Sequence, residues 1–148
     1  MKDYKINNHT LALIPLGKRK TIIYENHECF IVDAKITTLL DESCKYNGSS
    51  LQGRLKSTNT LTGYSYKAPV IVSEDKNIIL FPTCSPRLKE CSWINSNNIN
   101  QIIDHKDKCL VEFNNKECLE FETSYNIINN QINRSLQLEK KFKKHLND

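Results

Sequence analysis

The sequence predicts an α+β fold: a single β-rich domain of antiparallel hairpins closed by a long C-terminal helix. Three observations carry this expectation. Short β-branched and aliphatic runs recur as far as Glu122, polar turn-formers separate them, and at Thr123-Ser124 the hydrophobic period changes from two to that of a helix. With 148 residues and 39% apolar content the chain can bury one core, so one domain over 1–148 is expected.

Leu11–Pro15, Thr21–Tyr24 and Cys29–Val32 read as strands, the last two forming a hairpin across Glu25-Asn26-His27-Glu28. Ile36–Asp41 fits either strand or helix. Pro69–Val72 and Ile78–Phe81 flank Ser73-Glu74-Asp75-Lys76-Asn77 as a second hairpin, which Pro82 stops. Ser92–Asn95, Ile99–His105, Cys109–Phe113 and Cys118–Glu122 follow. Alternation in Val111-Glu112-Phe113 and Leu119-Glu120-Phe121-Glu122 around Asn114-Asn115 marks the last two as a hairpin with an acidic polar side, which would face away from any polyanion. Ser124 is an N-cap for a helix over Tyr125–Leu146, whose stripe of Ile128, Ile132, Leu136 and Leu146, with Tyr125 and Phe142, reads as core packing or a dimer seam.

Between these elements lies a segment of one sign. Ser43–Ser73 holds Lys45, Arg54, Lys56 and Lys67 and no Asp or Glu. Asn47, Ser49, Ser50, Gln52, Ser57, Thr58 and Asn59 supply donors of the kind that contact phosphates and base edges, and Gly48, Gly53 and Gly63 suggest a shaped loop that brings backbone close to a polyanion. Charge is uneven elsewhere too. Arg134–Asp148 carries five cations against two anions, and Gln101–Glu122 six anions against three cations, on a chain of net charge +4. Such polarity suits one binding face.

Other classes find less support. The acid-free segment offers no carboxylate pair to an enzyme, and no Cys–His signature is local, so no catalytic residues are assigned. The six cysteines, Cys29, Cys44, Cys84, Cys91, Cys109 and Cys118, show no pair at zinc-ligand spacing, and no metal or other cofactor is expected. No apolar run approaches the ~18 residues of a membrane span. A soluble, intracellular protein with reduced thiols is the expectation.

Ser43-Cys44-Lys45-Tyr46-Asn47-Gly48-Ser49-Ser50-Leu51-Gln52-Gly53-Arg54 resembles the S-C-[RK]-aromatic-x-G-S-S-x-x-G-R segment of the ComK family of competence transcription factors in Gram-positive bacteria. Four further islands keep the same order: Lys67-Ala68-Pro69-Val70, Leu80-Phe81-Pro82-Thr83, Ser85-Pro86-Arg87 with Glu90-Cys91-Ser92-Trp93-Ile94, and Val111–Tyr125. The resemblance covers roughly residues 5–140. It implies a non-enzymatic activator of DNA-uptake genes that binds paired A·T-rich boxes, largely through the minor groove, as dimers assembling further on one promoter. It also implies a cytoplasmic, nucleoid-associated location, with RNA polymerase and a proteolytic adaptor as partners, the adaptor acting in the family through a segment beyond the last helix, whereas this sequence ends at Asp148.

A narrow A·T minor groove attracts Arg and Lys and offers acceptors to Asn, Gln and Ser. Lys45, Asn47, Ser49, Ser50, Gln52, Arg54, Lys56 and Lys67, with Arg87 and Lys89 in a lesser role, are therefore the candidate DNA contacts. The last strands and helix also resemble the LytTR class, which would place loops in the major groove. An RNA-binding β-domain, stacking bases on Tyr46, Tyr64 or Tyr66, is the remaining alternative.

Overall fold

Two antiparallel sheets and three helices carry the fold of the computed structural model, which describes residues 3–88 and 90–147. The larger sheet has the order β3-β2-β1-β6-β5-β4, with β1 at Thr10–Leu16, β2 at Lys20–Glu25, β3 at Glu28–Val32, β4 at Val70–Ser73, β5 at Ile78–Pro82 and β6 at Trp93–Asn95. The smaller has the order β7-β8-β9, at Ile99–His105, Lys108–Phe113 and Cys118–Phe121. Helices α1 (Ile36–Tyr46) and α2 (Leu51–Thr62) follow β3, and α3 (Tyr125–Leu146) closes the chain.

Strand alternation splits the core into two sides. Val70, Val72, Ile78, Leu80, Leu13 and Ile23 pack with Ile36, Leu39, Leu40 and Cys44 of α1. Their sequence neighbours point the other way: Phe81 and Ile94 join Cys109, Val111, Phe113 and Phe121 of the small sheet and Ile128 of α3, while Ile71 and Ile79 meet Leu138. Each fully buried aliphatic or aromatic side chain contributes about 1.5–3 kcal/mol, so both faces of the large sheet are covered because both are apolar. The result is three layers, with α1 on one face of the sheet and the small sheet with α3 on the other.

Every expected strand is present, and the acidic hairpin pairs Glu112 with Cys118 and Leu110 with Glu120. Two expectations need correction. The segment 43–73 is not a loop: it contains the end of α1, a four-residue turn and all of α2. Ile36, Leu39, Leu40, Ser43 and Cys44 are buried at i, i+3, i+4, i+7 and i+8, which resolves Ile36–Asp41 as helix. The glycines punctuate helices instead of shaping a loop. Gly48 takes φ 88 in the turn and Gly63 φ 82 at the C-cap of α2, where a side chain would be strained, and Gly53 lies in the first turn of α2.

The second correction concerns the register of α3. Ser124 caps it as expected, its hydroxyl accepting from the Ile127 amide at 3.3 Å. Its buried residues, however, are Ile128, Gln131, Ser135 and Leu138, whereas Leu136 is 53% and Leu146 62% exposed. A buried glutamine and serine, invisible to an apolar count, carry the stripe. Gln131 earns its burial by donating to the carbonyls of Lys67 at 2.9 Å and Pro82 at 2.8 Å.

Candidate nucleic-acid interface

The turn between α1 and α2 is built by its own side chains. Asn47 caps α1, its amide donating to the Ser43 carbonyl at 2.8 Å. Ser50 is the N-cap of α2 and accepts from the Gly53 amide at 2.9 Å. The Leu51 amide donates to the Asp41 carboxylate at 2.9 Å, and this bond, with Lys45 beside it, holds the Asp41 carboxyl below its usual range. Helix, turn and helix are thus locked together before anything is bound.

What the lock presents outward is polar and basic. Gln52, Leu55, Lys56, Asn59 and Thr60 are exposed on α2 at positions that form one stripe, and α2 contains no carboxylate. Lys45 is exposed on the last turn of α1, 3.0 Å from Asp41. Ser49 and Ser50 are half-buried in the turn. Lys56 makes no ion pair among the described residues. A basic residue four residues from a free amide side chain is chemistry suited to phosphate and base edges.

Two expected contacts are placed differently. Arg54 is 6% exposed; its guanidinium donates to Glu74 at 2.6 Å, and it lies under α2 instead of on its outer stripe. Helical periodicity explains this, since Arg54 and Thr58 share the inward side, Thr58 donating to the Pro69 carbonyl at 2.8 Å. Lys67 sits at φ 53 with its ammonium 5.4 Å from the Tyr66 ring, and its carbonyl is taken by Gln131 and by Arg134 at 3.2 Å. Arg134 also stacks on Tyr64 at 4.3 Å. The stretch Tyr64–Lys67 is therefore stapled to α3, away from the stripe. Arg87 is exposed in the loop between β5 and β6, and Lys89 lies outside the described residues.

One group of cations escaped sequence reasoning. Lys18, Arg19 and Lys20 stand exposed at the tip of the β1–β2 hairpin, where Gly17 takes φ 65. The signal was present as Gly17-Lys18-Arg19-Lys20, three successive cations after a turn glycine, but it is short and lies far from 43–73 in the chain.

The cysteines are dispersed. Cys44 and Cys91 are buried, which pushes their thiols up to about 11 and about 12, while Cys29 and Cys118 are exposed. Among the described residues no three His, Cys, Asp or Glu side chains converge as a metal site, and no helix is long and apolar enough to cross a membrane.

Comparison with known proteins agrees with the residues. The family model described as ComK protein matches residues 1–147. A competence transcription factor of Bacillus subtilis (strain 168) is 34% identical over 146 residues, covering 96% of this chain and 76% of that protein. No solved structure matches.

Proposed function

The chain belongs to the ComK family, and from that premise we propose that it is a transcriptional activator of competence genes that docks the α1–turn–α2 unit on A·T-rich duplex DNA. The observation that carries this reading is the acid-free outer stripe of α2, with Gln52 and Lys56 at its centre and Lys45, Asn47, Ser49 and Ser50 at its start. Phosphate contacts would come from Lys56 and Lys45, and base-edge contacts from Gln52 and Asn59. Arg87, beside the start of α1, would add a peripheral phosphate contact.

The family resemblance favours reading through the minor groove, whose A·T edges present acceptors to short amide and hydroxyl donors. A specific observation supports a second reading. The segment is a helix following a four-residue turn, and a helix about 10–12 Å across fits a major groove about 12 Å wide better than a minor groove about 6 Å wide. Replacement of A·T by I·C pairs separates the two, because it preserves the minor-groove face and alters the major one. Retained affinity supports minor-groove reading; loss supports insertion of α2 in the major groove; and equal binding to A·T-rich and mixed duplexes overturns sequence-specific recognition. Paired boxes would be met by a dimer presenting two such units about a two-fold axis.

A further inference from the structure

We propose a second DNA-contact surface, outside the α1–turn–α2 stripe: a basic groove at the β1–β2 hairpin tip that holds the sugar–phosphate backbone of the duplex. It deepens the DNA-binding reading above and rests on it. The groove has a volume of about 340 Å³ and is lined by Lys18, Lys20, Lys35 and Arg87, with Thr37 offering a hydroxyl. No Asp or Glu lines it. All four cations are exposed, and none pairs with a carboxylate among the described residues. Three separate stretches of chain, the hairpin tip, the start of α1 and the β5–β6 loop, deliver them to one place.

Like charges brought together repel one another, and a fold gains nothing from the arrangement unless an anion fills it. The backbone adds to the field. Lys35 is the N-cap of α1, makes no side-chain cap bond, and the first turn carries no acid to neutralise its amides. The neighbouring groove shows the contrast. It shares Gly17 and Lys18 but is lined by Glu90, Glu120 and Glu122, so an anion entering from the tip is turned toward α1 and away from the small sheet.

Geometry favours a long polyanion over a small one. Lys35 begins α1 and the turn to α2 ends it, so the two basic surfaces are separated by an 11-residue helix, about 16 Å long at 1.5 Å per residue. That is close to five base-pair steps of about 3.4 Å, so one duplex can run along α1 and touch both ends. The groove is also open and lined by exposed Lys and Arg, which fits a backbone lying across it better than an enclosed metabolite.

The test is the salt dependence of binding by the full chain, measured by fluorescence anisotropy with an A·T-rich duplex and a mixed-sequence duplex. The variant is Lys20→Gln/Lys35→Gln, and the charge-matched control is Lys106→Gln/Lys116→Gln, on turns of the small sheet. Loss of two phosphate contacts should lower the slope of log affinity against log salt by about two and weaken both duplexes by the same factor, on the order of tenfold at ~150 mM salt. Melting temperature should hold, since all four side chains are exposed. A variant with wild-type slope and affinity overturns the groove, as does a control that lowers the slope equally, because net charge alone would then account for the effect. A variant that loses binding to single-stranded RNA but not to duplex also overturns it. Failure of the wild-type chain to bind either duplex would remove the DNA-binding reading itself. Wild-type binding that is lost in Lys56→Ala but kept in the groove variant removes only the groove.

Discussion

The acidic small sheet and helix α1 lie on opposite faces of the six-stranded sheet, α2 runs along its β4 edge and meets α3 through Leu61 and Phe142, and the acidic and basic regions answer their charges differently. In the small sheet, Glu120 meets His105 at 2.5 Å and Lys108 at 3.8 Å, Lys108 also reaches Glu122 at 3.3 Å, and Glu112 accepts from Asn100 and Gln101. Most of its carboxylates are answered locally, although Asp104, Lys106, Asp107 and Lys116 make no ion pair among the described residues. Around α1 and α2, Lys45 pairs with Asp41, Arg54 with Glu74 and Lys5 with Glu42, while Lys56 and the four cations of the tip groove have no carboxylate partner among the described residues. A region whose charges are paired internally gains little from an external ion; one whose cations are left open is complete only with a polyanion. That asymmetry supports the proposed docking of DNA on the basic surfaces.

The comparison breaks first at Arg54, where a basic residue of the binding segment belongs to the core. Arg54→Ala removes a buried ion pair and its packing and should cost about 2–4 kcal/mol by chemical denaturation, the exposed side of Glu74 moderating the loss. Arg54→Met keeps the volume and should fall within about 1 kcal/mol of wild type, with DNA affinity preserved. An Arg54→Met protein that folds normally but loses DNA binding would move Arg54 back to the interface.

On α3 two neighbours separate core from seam. Ile132 packs against the second core and Leu136 is exposed, so Ile132→Asp should destabilise by about 2–3 kcal/mol while Leu136→Asp stays within about 0.5 kcal/mol. If α3 contributes a dimer seam, Leu136→Asp also yields a folded monomer whose salt slope on DNA is roughly halved. Light scattering reads this directly. A wild-type chain that is monomeric both free and on DNA would exclude the dimer.

The outer stripe of α2 should act on binding alone. Lys56→Ala should lower the salt slope by about one and weaken all duplexes alike, and Gln52→Ala should cost about 1–3 kcal/mol on A·T-rich duplex and relax sequence preference. Both should melt as wild type does. Equal losses on every sequence for Gln52→Ala would make it a backbone contact.

How far these features could be read from the sequence depended on the kind of signal. The strands and the Ser124 cap were legible because period-two alternation and a capping serine are local. The start of α1 stayed ambiguous because the helical face of Ile36, Leu39, Leu40, Ser43 and Cys44 runs on into the basic segment, and α2, bracketed by Ser50 and Gly63, read as loop because its buried residues are Arg54 and Thr58. Composition found the acid-free surface but not the side of the helix on which each residue falls, so Arg54 read like Lys56. The tip groove was out of reach, since Lys18, Lys35 and Arg87 meet only through tertiary structure.

The smallest expected effect tests the self-contained half of the comparison. The Glu120 carboxyl is held below its ordinary value of 4.5, first by the hydrogen bond with His105 and then by the nearby Lys108. A carboxylate with a depressed folded-state pKa adds stability that is fully present above the unfolded value and is lost as pH falls through the folded one. Melting temperatures taken between about pH 6 and pH 3 should therefore fall less steeply for Glu120→Gln than for wild type, the curves converging at the acid end. The side chain is exposed, so solvent screening keeps the difference small, and salt should shrink it further. Acid limbs that superimpose would mean that the small sheet's ion pairs contribute nothing to its fold. The contrast with the open cations across the sheet would then lie in charge placement alone, and not in how firmly each charge is held.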